Sequence, residues 1–376
     1  MKKILLSFAL AAICMNSFGE GRIRDYGIAP GIFKTGTYNA ITDVPGVKVG
    51  HVTLIEGDSV RTGVTAIVPH DGNIFRKKCP AAVYVGNGFG KLAGTTQVKE
   101  LGNIETPVIL TNTLSVAQGI EGVVTYTLKQ KGNERVRSVN AIVGETNDGE
   151  LNDIRGRHVR AEHVVQAIEN AKGGPVEEGC VGAGTGTVCF SWKGGIGTSS
   201  RVLPNIYGGW TVGVLIQSNY GGILEIEGVP VGKRLGKYSF KKGVEDPDYL
   251  LNPDGSCMMV IFTDAPLDAR NLERLAKRVM MGMAKTGGIA SNGSGDYVIA
   301  VSVNQDNLID ENNTKNYFPT LLHNDDMSPL FEAAIECTAE ALWNSLFAAK
   351  TTTGCGNTVE ALPVEEVVKL MKQPVL

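Results

Sequence analysis

The alternation of strand-like and helix-like segments after Ser256 limits the possible folds of this chain more than any other sequence feature. Residues 257–262 form a continuous apolar run of strand length. A helix is predicted over about 268–285, because apolar residues recur on one stripe until Gly287 and Gly288 end the pattern. A second strand is predicted over 297–303. Strands in runs with helices to either side predict sheets covered by helices in layers.

The rest of the chain adds shorter elements of the same two kinds. Further strands are predicted at 65–68, 82–85, 107–110, 187–192 and 212–216, and further helices at about 157–172, 330–349 and 364–372. Ser328 and Pro329 are the predicted N-cap and first-turn proline of the helix over 330–349. No repeat with a period of about 20 to 50 residues is present, which excludes repeat architectures.

The amino-acid composition limits the kinds of partner that this chain can bind. The chain has 376 residues, of which 43% are hydrophobic, and this is enough to bury a sizeable core. It contains 36 basic and 39 acidic side chains. Because no excess of positive charge is available to neutralise a phosphate backbone, a nucleic-acid partner is not expected.

The N-terminus has the layout of a secretory signal peptide. Two lysines precede an apolar stretch over 4–15, and small residues follow up to Gly19. We expect residues 1–19 to be removed and the mature chain to be exported, with the periplasm as its destination. No other segment approaches about 18 uncharged apolar residues, so insertion of the mature chain into a membrane is not expected.

The sequence gives no sign of a metal or cofactor site. The six cysteines beyond the signal peptide form no C-x-x-C pair, and we expect most of them in the core. His158 and His163 are five apart, not the four that would place two imidazoles on one helical face. The glycine clusters at 86–90 and 182–186 do not open a helix, so close packing or a tight turn is favoured over phosphate binding.

Ser256 stands at the junction between a predicted turn, Pro253-Asp254-Gly255, and the strand over 257–262. A serine hydroxyl is a weak nucleophile without a base, and the chain has no G-x-S-x-G elbow or nearby His-Asp pairing. If the bond between Gly255 and Ser256 is broken, Ser256 gains a free α-amino group. With a reference pKa of about 7.7 to 8, that amine can accept the hydroxyl proton near neutral pH.

Other polar residues are candidates for the same chemistry. Ser294 and Asp296 are two apart at the start of a predicted strand, so both side chains should share one face, although spacing alone favours a glycine-flanked turn with a capping serine. Asn219 follows an apolar strand and is either a turn former or an oxyanion donor. The acidic segment 143–153 is either a solvated loop or the source of a carboxylate, such as Glu145, for a cationic substrate group.

Several long motifs resemble one family in order along nearly the whole mature chain. DGSCMMVIFTDAPLD, KTGG and NGSGDY resemble the small subunit of the L-aminopeptidase D-amidase/D-esterase and β-peptidyl aminopeptidase family. NAITDVPGVKVGHVT, VGETNDGELNDI, GAGTGTVCFSWKGGIGTSSR and VLIQSNYGG resemble its large subunit. The fold that this resemblance implies is α/β, a four-layer αββα sandwich like that of N-terminal nucleophile hydrolases but with different connectivity.

The resemblance also implies site residues and processing. Self-cleavage at Gly255-Ser256 would give a large subunit of 20–255 and a small subunit of 256–376, which together form one αββα domain. Ser256 would be the nucleophile, Ser294 and Asp296 its supporting pair, Asn219 the oxyanion donor and Glu145 the acceptor of the substrate's amino group. With Gly255 and Asn147 added, the predicted site has seven positions: Gly255, Ser256, Ser294, Asp296, Asn219, Glu145 and Asn147. Some members of the family carry a tyrosine where Asn147 stands. Others carry glutamate where Asp296 stands.

The resulting hypothesis is a self-processing serine aminopeptidase that removes N-terminal residues from small peptides, amides or esters without a cofactor; the sequence leaves open whether D- or β-residues are accepted. Members of the family commonly assemble as oligomers of cleaved heterodimers, which we expect here. Two alternatives stay open from the residues alone: an acyltransferase on a similar scaffold, and an uncleaved exported binding module in which the Pro-Asp-Gly-Ser segment is only a turn.

Overall fold

The structure is a computed structural model that describes residues 21–245, 254–312 and 316–373. The predicted signal peptide over 1–19 and Pro253 of the predicted turn lie outside the described residues. The strands are β1 (Lys48–Glu56), β2 (Val60–Val68), β3 (Lys77–Gly88), β4 (Leu92–Ala93), β5 (Asn103–Ile104), β6 (Val108–Asn112), β7 (Ile142–Thr146), β8 (Val188–Cys189), β9 (Trp192–Lys193), β10 (Gly195–Val202), β11 (Thr211–Asn219), β12 (Asp254–Thr263), β13 (Gly293–Ser302), β14 (Ile309–Asp310), β15 (Thr352–Gly354) and β16 (Asn357–Val359). The helices are α1 (Thr95–Leu101), α2 (Val116–Lys129), α3 (Ala161–Glu169), α4 (Val231–Arg234), α5 (Lys241–Glu245), α6 (Ala269–Lys285), α7 (Ser328–Phe347) and α8 (Val364–Met371).

Two sheets form the centre of the molecule. The larger sheet has the order β10-β11-β12-β13-β3-β14, with β5 paired to β3, and the smaller has the order β1-β2-β6-β7-β4. The pairs β12–β13 and β6–β7 are parallel, and the other pairs along both sheets are antiparallel. The parallel connection from β12 to β13 runs through α6, as the strand–helix–strand pattern after Ser256 requires.

Three apolar cores separate four layers. Helices α6 and α7 pack on the outer face of the larger sheet, and α2 and α3 pack on the outer face of the smaller one. Met258, Val260 and Phe262 of β12 point into the core between the sheets, whereas Met259 and Ile261 point toward α6 and α7. Burial of both faces explains why β12 reads as a continuous apolar run. The predicted four-layer αββα arrangement is confirmed.

Some element boundaries differ from prediction for local reasons. The helix predicted at 157–172 is shorter because Arg157 has a φ of +50° after a 3-10 turn, and because Lys172 pairs with Val49 of β1. Ser328 does not cap α7, since a 3-10 turn over Asn324–Met327 continues directly into the helix. The strand predicted at 187–192 is divided into β8 and β9 by a tight turn.

The region predicted as a turn before Ser256 also differs. Asp254 and Gly255 already belong to β12, because they pair in register with Gly293 and Ser294 of β13. The start of β12 is therefore held by a neighbouring strand, and Ser256 is its third residue.

Helix α7 is joined to the N-terminal segment and β10 by a buried ionic network. Glu340 pairs with Arg24 at 2.6 Å and with Arg201 at 2.7 Å, and Glu336 pairs with Arg201 at 2.6 Å. The Asn39 amide also donates to Glu340. Burial opposes ionisation of Glu340, but the hydrogen bond from Arg24 and the charges of both arginines outweigh it and lower its pKa. Paired in this way, buried charges become tolerable.

The described part of the chain holds six thiols, and those of Cys79, Cys189, Cys257 and Cys337 are buried. Every helix within 21–245, 254–312 and 316–373 is too short or too polar to cross a bilayer.

Candidate active site

Ser256 lies between two neighbouring strands that fix its position. Its register partners are Asn219 on β11 and Gly295 on β13, and only 4% of the residue is exposed. The Ser256 hydroxyl donates to the Gly255 carbonyl oxygen at 2.5 Å, and the Gly295 N–H donates to Ser256 Oγ at 3.3 Å. The hydroxyl is thus held beside the carbonyl of the preceding peptide bond.

A cavity of about 550 Å³ opens next to Ser256. Its lining comes from both sheets and from the loops at their ends: Phe89, Lys91, Thr113, Glu145, Asn147, Glu150, Val188, Ser191, Asn219, Tyr220, Gly221, Tyr238, Ser239, Gly255, Ser256 and Gly293. Cavities of this size suit small-molecule ligands. Five of the seven sequence-predicted positions line it; Ser294 and Asp296 do not.

Asn219 ends β11 directly opposite Ser256. Its Oδ1 accepts a hydrogen bond from the Val188 N–H at 2.9 Å, which fixes the orientation of the amide. That bond uses the acceptor end, so the Nδ2 donor is available to an oxygen in the cavity. Asn219 is therefore a strand residue rather than a turn former, and it can stabilise negative charge beside the hydroxyl.

Ser294 and Asp296 share one face of β13, as their two-residue spacing predicts. The Ser294 hydroxyl donates to Asp296 Oδ1 at 2.8 Å, and both side chains are fully buried. The residue in register with Ser256 is Gly295, which lies between Ser294 and Asp296. Side chains alternate along a strand, so Ser294 and Asp296 point to one face of the sheet and the Ser256 side chain points to the other. From this face, Ser294 and Asp296 can approach the backbone nitrogen of Ser256 more readily than they can approach the Ser256 hydroxyl.

The Asp296 carboxyl is poorly compensated in this environment. Burial raises its pKa to about 6, against the smaller opposing effects of the Ser294 hydroxyl and the nearby Cys257 N–H. Oδ2 is buried and accepts no hydrogen bond from any described residue. A positively charged donor arriving at this oxygen would remove the penalty of burying it.

Glu145 lies at the cavity and is 2% exposed. Its Oε1 accepts from the Lys91 N–H at 2.9 Å, and its Oε2 accepts from the Thr113 hydroxyl. The Lys91 ammonium stands 4.0 Å from Oε1. Each carboxylate oxygen keeps a lone pair after these bonds, so Glu145 can still accept an ammonium group from the cavity.

The loop after Glu145 is more ordered than a solvated loop. Asn147 lines the cavity while its Oδ1 accepts from the Gly149 N–H at 2.9 Å, the geometry of a turn. Asp148, 2% exposed, accepts from the Asn152 amide at 2.9 Å, and burial raises its pKa to about 6. The segment 143–153 therefore has buried carboxylates at two positions, and the prediction of a solvated loop is wrong for them.

Several other groups of the site were not predicted from the sequence. Phe89 lies in the glycine cluster at 86–90, and Lys91 directly follows the cluster. Gly90 packs so closely that a Cβ would lie 2.9 Å from the Tyr297 ring and 3.1 Å from Gly295 Cα. That close approach carries Lys91 to Glu145, 54 residues away in sequence. The second cluster forms a 3-10 turn over Gly182–Gly184 that packs against β10, so both clusters serve close packing.

The chain is similar to known proteins along most of its length. The model of peptidase family S58 matches residues 39–359. The β-peptidyl aminopeptidase BapA of Sphingosinicella microcystinivorans is 41% identical over 373 residues, which cover 94% of this chain and 92% of the relative. The solved β-aminopeptidase of a Burkholderia species is 40% identical with a TM-score of 0.86, over 94% of this chain and 100% of that one.

A third similar protein describes the fold. The L-aminopeptidase D-Ala-esterase/amidase of Ochrobactrum anthropi is 33% identical with a TM-score of 0.85, over 94% of this chain and 98% of that one. Its structure is described as a prototype for the serine aminopeptidases and as a new variant among the Ntn hydrolase fold.

Proposed function

This chain belongs to peptidase family S58, and we propose that it is a serine aminopeptidase that cuts its own chain before Ser256 and then uses that residue as its nucleophile. Its substrates are small peptides, amides or esters with a free N-terminal ammonium group. The observation that carries this proposal is the hydrogen bond from the Ser256 hydroxyl to the Gly255 carbonyl, at a position fixed by both neighbouring strands.

The self-cleavage is an intramolecular acyl shift. Ser256 Oγ attacks the Gly255 carbonyl carbon, the C–N bond breaks, and the hydroxyl proton passes to the departing Ser256 nitrogen. Water then hydrolyses the ester and leaves a carboxylate on Gly255 and a free amine on Ser256. The held geometry favours this step because it keeps the hydroxyl oriented beside the carbonyl group that it attacks. The products are a large piece ending at 255 and a small piece of 256–376.

The new amine serves as the base for the Ser256 hydroxyl, and Asp296 stabilises the ammonium that forms. Support comes from the unpartnered Oδ2 of Asp296 and from Ser294, which holds the carboxyl by its other oxygen. Both residues act on the amine and not on the hydroxyl, because they lie on the opposite face of the sheet from the Ser256 side chain.

During attack on a substrate, Ser256 Oγ bonds to the acyl carbon, the leaving amine takes the proton, and water later releases the acid. Asn219 Nδ2 and the Gly295 N–H are the donors that stabilise the oxyanion. Glu145 accepts the substrate's ammonium group, with Asn147 at the same wall of the cavity. Residues with the amine on the β-carbon are included among the substrates, since the Sphingosinicella microcystinivorans relative is named a β-peptidyl aminopeptidase and the Burkholderia protein a β-aminopeptidase.

Export and assembly are part of the proposal. We place the enzyme in the periplasm after removal of residues 1–19, and as a homo-oligomer of cleaved heterodimers. The lysine-led apolar N-terminus supports the first statement. N-terminal sequencing of the protein from fractionated cells tests the location, and analytical ultracentrifugation of the processed protein tests the assembly.

Mass spectrometry of the wild-type protein and Ser256→Ala tests the central claim. The wild-type protein should consist of two polypeptides, one beginning at Ser256, and should hydrolyse alanyl or β-alanyl p-nitroanilide. Ser256→Ala should be one chain without activity. A Ser256→Ala protein in two pieces, or a fully active wild-type protein in one piece, contradicts the proposal. Supplying competing amines during turnover separates hydrolysis from acyl transfer.

A further inference from the structure

The Lys91 ammonium lies beside Glu145, where the proposed mechanism requires the ammonium group of the substrate to bind. The lysine ammonium is 4.0 Å from Glu145 Oε1, and the lysine side chain is 58% exposed at the cavity. A substrate ammonium that reaches Glu145 therefore meets the Lys91 ammonium at nearly the same point. Two cations at one carboxylate repel each other, so a simple N-terminal ammonium is only partly matched by this wall.

A substrate that also carries a carboxylate would be matched at both points. Its ammonium pairs with Glu145, and its carboxylate pairs with Lys91. The short distance between the two protein charges requires the two substrate charges to be close together, as they are when both groups are on the same carbon atom. Among the described residues that line the cavity, Glu150 is the other carboxylate, and the ion pair of Lys91 is with Glu145.

We infer that Lys91 determines specificity for N-terminal β-linked aspartyl residues. In such a residue the ammonium and the free α-carboxylate share one carbon, and a methylene group separates that carbon from the scissile carbonyl. The residue is thus a β-amino acyl group with an added carboxylate. This inference rests on the proposed function and names a substrate class for it.

The position of Lys91 is fixed by its backbone. Its N–H donates to Glu145 at 2.9 Å, and the preceding Gly90 packs against Gly295 of the strand next to Ser256. The root of the lysine side chain is therefore held close to both the ammonium acceptor and the nucleophile. Only the outer, exposed part of the side chain is free to move toward a substrate carboxylate.

Two p-nitroanilides that differ only in the carboxylate test the inference: β-linked L-aspartyl p-nitroanilide and β-alanyl p-nitroanilide. The processed wild-type enzyme should have a kcat/KM at least about tenfold higher for the aspartyl substrate, a difference of about 1.4 kcal/mol. Lys91→Met should remove this preference, mainly through KM, whereas Lys91→Arg should keep it. Lys99→Met, which removes a lysine that does not line the cavity, is the matched charge control.

A second measurement uses the wild-type enzyme alone, so that a variant that fails to process does not prevent the test. L-Aspartate should inhibit β-alanyl p-nitroanilide hydrolysis at a concentration about tenfold lower than β-alanine does. Cleavage of the β-alanyl substrate without an aspartyl preference, or a preference unchanged in Lys91→Met, overturns the inference and leaves the proposed function intact. A processed protein that cleaves neither these two substrates nor alanyl p-nitroanilide overturns both.

Discussion

The buried carboxyl of Asp296 should impose a stability penalty that depends on pH. Its pKa is raised from 3.8 to about 6, chiefly by burial. The folded chain therefore holds this proton more tightly than the unfolded chain does. The contribution of Asp296 to the free energy of unfolding is fully present below about pH 4 and is lost as the pH rises through about 6.

The size of the loss follows from the difference in pKa. About two units at 1.36 kcal/mol each give a penalty of about 3 kcal/mol above pH 6. About 2 kcal/mol of this penalty appears between pH 4.5 and 7.5, because part of it is already present at pH 4.5. Asp296→Asn keeps an oxygen for the Ser294 hydroxyl and cannot ionise, so it should remove the pH-dependent part.

The measurement is urea unfolding at pH 4.5 and 7.5 in the Ser256→Ala background, where each protein should be one polypeptide. The stability of Asp296→Asn relative to its parent should increase by about 2 kcal/mol from the lower to the higher pH. Asp148 and Glu178 also have raised pKa values, but they contribute equally to both proteins. Asp306→Asn, a change at an exposed carboxyl, should show no such increase. If the difference in the free energy of unfolding between Asp296→Asn and its parent is the same at both pH values, Asp296 is not the source of the pH-dependent penalty.

Three further predictions concern the buried ionic network on α7, the close packing at Gly90 and the amide of Asn219. Glu340→Gln should lower the free energy of unfolding by about 3 kcal/mol in urea titration, because it leaves the buried Arg201 with Glu336 as its remaining carboxylate and removes the carboxylate that pairs with Arg24; a change below about 1 kcal/mol would mean that the network contributes little. Gly90→Ala should lower kcat/KM by about a hundredfold, because its Cβ would displace Glu145 and the strand beside the nucleophile, whereas Gly88→Ala, whose Cβ has only an ordinary contact at 3.6 Å, should retain most activity. Asn219→Ala should lower kcat by about 10² to 10³ with little change in KM, and an equal rise in KM instead would assign Asn219 to substrate binding.

Much of the layered fold could be predicted because the relevant signals are local. The continuous apolar run of β12 and the apolar stripe of α6 depend on neighbouring residues alone, and each appears in the structure within a few residues of its predicted bounds. The errors occurred where a distant part of the chain decides the outcome. The predicted turn at Asp254 and Gly255 is strand because β13 pairs with it, and the helix predicted to reach residue 172 ends earlier because Lys172 pairs with Val49 of β1.

The candidate chemistry follows from the sequence alone. Ser256 has no conventional base, and its own amine becomes available by scission at Gly255. A family resemblance indicated Asn219, Glu145, Ser294 and Asp296 as further site residues. Spacing within one strand also determined that the last two share a face.

The relative positions of these groups depend on the tertiary structure. The register of β12 against β13 placed the pair Ser294 and Asp296 on the face opposite to the Ser256 hydroxyl, and the close packing at Gly90 brought Lys91 to Glu145. Register and long-range packing depend on which strands become neighbours, and that choice is made by the whole core. A period of two residues cannot encode it.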